Sequence, residues 1–302
     1  MSGLLDRRLL VVTGKGGVGK STVAAALGLE LASRGKRTLL CEVNADERLA
    51  PLLGHRPVGA EVRQVEPRLS LVDVRPTESM REYVLMKIRV ERLYRAVFEN
   101  KMVRYFLRFI PSLAETVMLG KILWHVHQPA SAPGGFDAVV VDAPSTGHAL
   151  SLLGVPQTLL STLPAGPMTS EARWMRDLLV NPAVTGILLV ALPEELPVNE
   201  TLELDEALRT RLGLPVEAVV LNQAVPSRFG PQARRTLADR PGLLQLAQSY
   251  EEDAARTADA ATRLAALEHP VLHLPRLVTP EVGRAEVAEL GRLLAGGLEH
   301  PA

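Results

Sequence analysis

The chain of 302 residues holds one cysteine, Cys41. An intrachain disulfide and any Cys-x-x-Cys pair are therefore excluded. Cys41 lies in an apolar run, where a buried, inert thiol is expected. Aromatic residues make up 4% of a sequence that is 47% hydrophobic, so the core must be aliphatic. Net charge is absent too: 34 Lys and Arg balance 34 Asp and Glu. That argues against a globally basic nucleic-acid binder and leaves room for a local basic patch. No apolar run reaches the roughly 20 residues that cross a bilayer. The short polar start, Met1 to Arg8, lacks the shape of a signal peptide. These absences predict a cytoplasmic protein.

What the chain does have is an apolar run, Leu9-Leu10-Val11-Val12-Thr13, leading into Gly14-Lys15-Gly16-Gly17-Val18-Gly19-Lys20-Ser21-Thr22. Gly14, Gly19, Lys20 and Ser21 meet the spacing G-x-x-x-x-G-K-S of a phosphate-binding loop. Glycines let the backbone curl until successive N–H groups converge on a phosphate. Lys20 is placed to neutralise β- and γ-phosphate charge, and the Ser21 hydroxyl to ligate Mg²⁺. A helix opening at Lys20 aims its N-terminal dipole at the same phosphates. The apolar strand before the loop and the Ala/Leu-rich stretch Thr22 to Ser33 after it supply the context such a motif needs. Gly14 to Thr22 are thus the candidate contacts for the phosphates of a bound nucleotide, with Gly16, Gly17 and Val18 among them. Lys15 is a second loop lysine with no evident task in an isolated chain.

Further apolar, β-branched runs predict strands at Thr38 to Val43, Leu69 to Val74, Ala138 to Asp142, Gly186 to Ala191, Val216 to Leu221 and Val271 to Leu274. Helical stretches lie between them, such as Asn199 to Leu212 and Leu243 to Leu267. The alternation predicts an α/β fold, a P-loop NTPase with a mainly parallel, doubly wound sheet and the site at the carboxyl ends of its strands. No linker divides the chain, so residues 1–302 read as a single domain. It carries a helical insertion at about 76–130, with 165–182 as a second candidate. Tyr83, Ile88, Leu93 and Val97, then Leu113, Val117 and Ile122, recur at helical spacing around a break at Pro111. Between Ser79 and Gln128 nine Lys or Arg stand against four Asp or Glu, and every methionine except Met1 falls between Met80 and Met175. Two readings stand: an insertion that simply packs on the sheet, or an adaptable apolar groove for a partner helix or lipid.

Ala138-Val139-Val140-Val141-Asp142 is an apolar run ending in an acid. Beside a phosphate loop such an aspartate holds Mg²⁺, often through water. Ala143-Pro144-Ser145-Thr146-Gly147-His148 follows, then Leu192-Pro193-Glu194-Glu195, Val219-Val220-Leu221-Asn222-Gln223 and Leu274-Pro275-Arg276. With Lys15 to Thr22, these segments resemble the arsenite-pump ATPase family, ArsA-like anion-transporting ATPases related to the tail-anchored-protein targeting ATPases. That family belongs to the deviant Walker A superfamily, and the resemblance runs from residue 9 to about 290. It implies a Mg-dependent ATPase working as a homodimer, in which Lys15 reaches the partner's nucleotide like an arginine finger. It also implies that Thr146-Gly147-His148 belongs to a second switch. Asn222, with Gln223 beside it, would recognise adenine, since an Asn side chain donates and accepts at once. A loop at Pro275 would lie over the base. The nucleotide state would govern binding or release of a client, an apolar helix or a membrane. The single cysteine excludes the zinc clasp, the metalloid–thiolate site and the iron–sulfur cluster found in the superfamily, by their usual ligands. The Thr-Gly-His segment argues against a ParA- or MinD-like partitioning ATPase, and nucleic acid is not an expected partner. A metalloid-extrusion subunit and a partitioning ATPase are the alternatives.

One position departs from the family pattern. An aspartate that polarises the attacking water is expected just after the second strand. Here the chain reads Cys41-Glu42-Val43-Asn44-Ala45-Asp46, and aligning the strand ends puts Asn44 there. Asn orients water but cannot take its proton as a carboxylate can. Three readings stay open: slow hydrolysis, substitution by Asp46 or Glu42, or a register two residues off with Asp46 as the acid. The candidate catalytic residues are accordingly Lys15, Asn44, Asp46 and Asp142, and the candidate Mg²⁺ ligands Ser21 and Asp142.

Overall fold

The structure, a computed structural model, describes residues 3–45, 47–88 and 112–300. Its strands are β1 (Leu9–Gly14), β2 (Thr38–Val43), β3 (Arg63–Glu66), β4 (Leu69–Val74), β5 (Ala138–Ser145), β6 (Thr185–Ala191), β7 (Val216–Ala224) and β8 (Val271–Pro275). They form one sheet in the order β3-β4-β2-β5-β1-β6-β7-β8. Every neighbouring pair is parallel except the antiparallel β3–β4 pair at one edge. The helices are α1 (Lys20–Ser33), α2 (Leu49–Leu52), α3 (Pro76–Ile88), α4 (Leu113–His127), α5 (Thr146–Thr162), α6 (Pro167–Leu179), α7 (Glu195–Glu206), α8 (Pro231–Thr236), α9 (Pro241–Ala265) and α10 (Arg284–Glu299).

Alternate residues of each central strand enter two separate cores. Leu9, Val11, Val139, Val141, Ile187 and Leu189 pack with residues of α4, α5, α6 and α7 on one face. Leu10, Val12, Val140, Leu188 and Val190 pack with α1 and α10 on the other. Both faces are covered, which is why the central strands read as unbroken apolar runs rather than alternating ones. Cys41 is fully buried in β2, and burial pushes its thiol up to about 12. This is the parallel, doubly wound sheet that the strand–helix alternation predicted.

All seven expected strands are present, several a residue or more longer. The edge strand β3, exposed over half its length, was not expected, because Arg63-Gln64-Val65-Glu66 carries no apolar run. Charged edges of this kind discourage pairing with another sheet. The helix predicted over Asn199 to Leu212 starts earlier, at Glu195, and gives way at Ala207–Arg211 to a π-helical turn. Pro197 sits in its first turn, where a missing N–H costs nothing. Within the expected helical insertion α3 and α4 are helices, and α6 covers most of 165–182. The periodic positions Leu93 and Val97, with the break at Pro111, lie outside the described residues. Helix α4 buries Val117, Met118, Leu119, Ile122, Leu123 and Val126 and packs on α3, α5 and α6. Among the described residues no helix is long and apolar enough to cross a membrane.

Candidate functional site

Strand β1 lies between β5 and β6 at the middle of the sheet. The chain leaves β1 toward the β3 edge and leaves β6 toward the β8 edge, so the strand order switches direction here, where a crevice forms at the carboxyl ends of the strands. The loop from Gly14 to Gly19 rims that crevice. Gly14, Gly17 and Gly19 have φ values of 151°, 87° and 93°, which side chains with a Cβ rarely adopt. At Gly14 a Cβ would also run into the Val190 carbonyl, and at Gly19 into the Asn222 amide. Val18 anchors the loop by burying its side chain in the α1 core. Gly19 caps α1, whose first turn is Lys20, Ser21 and Thr22.

The Lys20 ammonium lies back over the loop and donates to the Lys15 carbonyl at 2.9 Å. Burial lowers its pKa, the Asp142 charge opposes this, and the Arg48 charge adds to it. Ser21 Oγ donates to Asp142 Oδ2 at 2.6 Å. The other carboxylate oxygen, Oδ1, is buried and accepts no hydrogen bond among the described residues. Burial pushes the Asp142 carboxyl up to about 6, against the pull of the Ser21 hydroxyl and of Lys20 and Arg48. A hydroxyl beside a carboxylate with an unshared oxygen is a donor set that suits a hard cation. Among the described residues no group of three or more His, Cys, Asp or Glu gathers to hold a metal by side chains alone.

Asn44 is the first residue past β2, exposed, at φ 46°, and its N–H donates to the Val74 carbonyl at 3.0 Å. Asp46 lies outside the described residues. Glu42 pairs in register with Asp142 across β2 and β5, but its two oxygens accept the N–H groups of Arg48 (2.7 Å) and Leu49 (3.3 Å). It therefore caps α2, buried, with its pKa raised by that burial. Strand β5 runs on to Ser145, and Thr146, Gly147 and His148 form the first turn of α5. Asn44, Pro144 and His148 share a small cavity of about 220 Å³ with Glu115 and Met118 of α4. Residues from both expected switches thus meet α4 there.

On the opposite side, Asn222 is buried near the end of β7 and its Nδ2 donates to the Val18 carbonyl at 2.9 Å. Gln223 is exposed with φ 56°, Ala224 pairs with Pro275 of β8, and the Arg276 N–H donates to the Ala224 carbonyl at 3.1 Å. Asn222 therefore touches the glycine loop, with Gln223 next to it in the chain and Pro275 across the β7–β8 pairing.

The family model for anion-transporting ATPases matches residues 7–165. The ATPase BagA of Mycobacterium tuberculosis is 31% identical over 95% of this chain and 92% of its own length. The chain belongs to the anion-transporting ATPase family. A putative arsenical pump-driving ATPase of Halobacterium salinarum is 26% identical over 76% of this chain and 37% of its own. An ATPase ASNA1 homolog of Entamoeba dispar is 26% identical over 71% and 76%.

In this member of the anion-transporting ATPase family, two site residues had escaped notice in the sequence. Arg48 is one: its charge is felt at both Lys20 and Asp142. Glu200, on α7, is the other. Its Oε1 takes a 2.7 Å ion pair from Lys15 Nζ, and its Oε2 accepts from Thr146 Oγ1 at 3.4 Å. Glu200 is 185 residues from Lys15, and only the β1–β6 pairing brings α7 beside the loop. A short motif cannot announce such a contact.

Proposed function

We propose that this ATPase-family chain binds and hydrolyses Mg·ATP in the crevice at β1, works in the cytoplasm as a nucleotide-dependent homodimer, and couples nucleotide state to the holding or release of a client. The observation that carries the reading is the Ser21–Asp142 hydrogen bond, set directly below a glycine loop over which Lys20 is folded. Gly14 to Thr22 cradle the phosphates, and Lys20 moves from the Lys15 carbonyl onto the β- and γ-phosphates. Ser21 and the unshared Asp142 oxygen would hold Mg²⁺, which would neutralise phosphate charge. Asn222, Gln223 and Pro275 face the base. Water attacks the γ-phosphorus as its bond to the β–γ bridging oxygen breaks, giving ADP and phosphate with no covalent intermediate. Asn44 orients that water, and Lys15 enters from the second copy to steady the developing charge.

Support for a client with an apolar surface comes from a cavity of about 830 Å³ whose described lining includes Val62, Tyr83, Val117, Trp124, Trp174 and Met175, with Glu61, Glu82, Lys121 and Glu171 also lining it. Adaptable Met and flat aromatic rings suit varied apolar ligands. The test of the site is Lys20→Ala: isothermal titration with Mg·ATP should show binding in the parent and none in the variant. Undiminished affinity overturns the assignment.

A second reading has ATP set the conformation without turnover, and Asn44 at the water-polarising position favours it. A single-turnover hydrolysis measurement separates the two. A metalloid-pump role, which the name of the Halobacterium relative raises, finds little support here. Cys41 is buried and its thiol is pushed up to about 12, so it presents no thiolate. Arsenite should leave the ATPase rate unchanged.

A further inference from the structure

Lys15 cannot reach a second copy while it is paired within its own chain. Its ammonium is bound 2.7 Å from Glu200 Oε1. The same carboxylate accepts from Thr146, four residues beyond Asp142, at 3.4 Å. One side chain of α7 thereby ties the phosphate loop to the start of α5. Resting on the dimer reading above, we propose that Glu200 is a positioning residue. It stores Lys15 in cis in the nucleotide-free chain, and dimer closure exchanges this carboxylate for the phosphates on the partner.

The strength of the pair suits an exchange. The side chains of Lys15 and Glu200 are 24% and 31% exposed, so water screens the attraction and re-solvates whichever group is left behind. Partly exposed ion pairs of this kind are weak. The phosphates of a nucleotide carry more negative charge than a single carboxylate, and a closed interface leaves less water to screen it. Lys15 therefore has a place to rest in the open chain and a better one in the closed dimer. Thr146 makes the arrangement sensitive to the second switch, because any shift of α5 toward γ-phosphate withdraws one of the two partners of Glu200. Removing the store should favour closure, since the free lysine no longer gives up a contact to form the interface.

The test has two arms on the full-length protein. First, carbodiimide, which joins an amine directly to a touching carboxylate, should crosslink Lys15 to Glu200 within one chain. Peptide mass spectrometry should detect the link without nucleotide and find it largely lost with Mg²⁺ and a non-hydrolysable ATP analogue. Second, sedimentation equilibrium with that analogue should show Glu200→Gln dimerising about two- to thirtyfold more tightly than the parent, the range that two weak ion pairs, one from each subunit, supply. Glu203→Gln, an exposed charge on the same helix, is the control and should match the parent. In a Lys15→Ala background Glu200→Gln should have no effect, which a merely structural role of Glu200 would not reproduce. A crosslink that persists in the dimer, a dimer unchanged or loosened by Glu200→Gln, or an equal shift without Lys15 overturns the proposal and leaves the dimer standing. A parent that stays monomeric with the analogue removes the dimer reading and the exchange together. The nucleotide-free crosslink would then still report the pair.

Discussion

Gly19 does its work by lacking a side chain. Its φ of 93° turns the loop into α1, and Asn222 occupies the space a Cβ would need while holding the Val18 carbonyl. Gly19→Ala therefore meets backbone strain and a collision at once. A left-handed non-glycine residue costs about 1–3 kcal/mol. ATP affinity by isothermal titration should accordingly fall about tenfold or more, with the fold retained by circular dichroism. Asn44 poses the sharper question. If it occupies the water-polarising position, the parent should turn over slowly, and Asn44→Asp should accelerate single-turnover hydrolysis toward the 10²–10⁴-fold that a positioned base typically supplies. If Asp46 is the working acid, Asp46→Asn should abolish turnover and Asn44→Asp should do little. Glu42 drops out of this contest because both its oxygens are taken by backbone N–H groups. At this scale the sequence showed what local spacing encodes, Gly14 to Thr22 and Asp142. It could not show that Glu200 pairs with Lys15, or that Asn222 holds the glycine loop, because those contacts exist only once distant strands are neighbours.

Elements were legible where a face is buried. The central strands betray themselves because both faces are covered, and α1 because its Ala and Leu residues fill one core. Strand β3, charged at both ends and only half exposed, gave no pattern to read, and the short helices α2 and α8 have too few turns to show a period. Helix α4 is different again: it buries a histidine among its aliphatic residues. His125 lies edge-on to Trp124 and Phe136 with its Nδ1 unbonded among the described residues, and burial, helped by the Lys121 charge, lowers its pKa to about 4 from 6.5. The unfolded chain then binds the proton more readily between these values, so stability rises with pH through that window. The contribution is fully present above about pH 6.5 and disappears as pH falls toward 4. By pH 5 it should have cost about 2 kcal/mol. Urea unfolding at pH 7 and pH 5 checks this: His125→Gln should lower stability at pH 7 and show a smaller loss on acidification than the parent. Equal losses in both proteins would mean that other groups carry the acid sensitivity.

For the whole molecule, the sheet order and the parallel strands put the glycine loop after β1, Asp142 on β5, Asn44 after β2, and Asn222 and Pro275 on β7 and β8, all at one end. Lys15 is the residue whose role depends on more than one molecule. It leaves the loop and pairs with Glu200, not toward the Ser21–Asp142 pair of its own chain. If it acts across a dimer, two inactive variants should repair one another. Lys15→Ala keeps Lys20 and should bind Mg·ATP but not hydrolyse it. Lys20→Ala keeps Lys15 and should not bind. In a mixed dimer the nucleotide sits in the Lys15→Ala subunit and faces an intact Lys15 from its companion, so that single site is complete. Half of randomly paired dimers are mixed and each has one intact site, so up to about a quarter of the parent activity should return if the sites turn over independently. If Lys15 acts in cis, the only site able to bind ATP lacks its lysine, and the mixture stays inactive. Co-purification on two different tags establishes that mixed dimers have formed. Their ATPase rate then decides between the two geometries, because no third arrangement of these two lysines restores a site in one mixture and not in either parent variant alone.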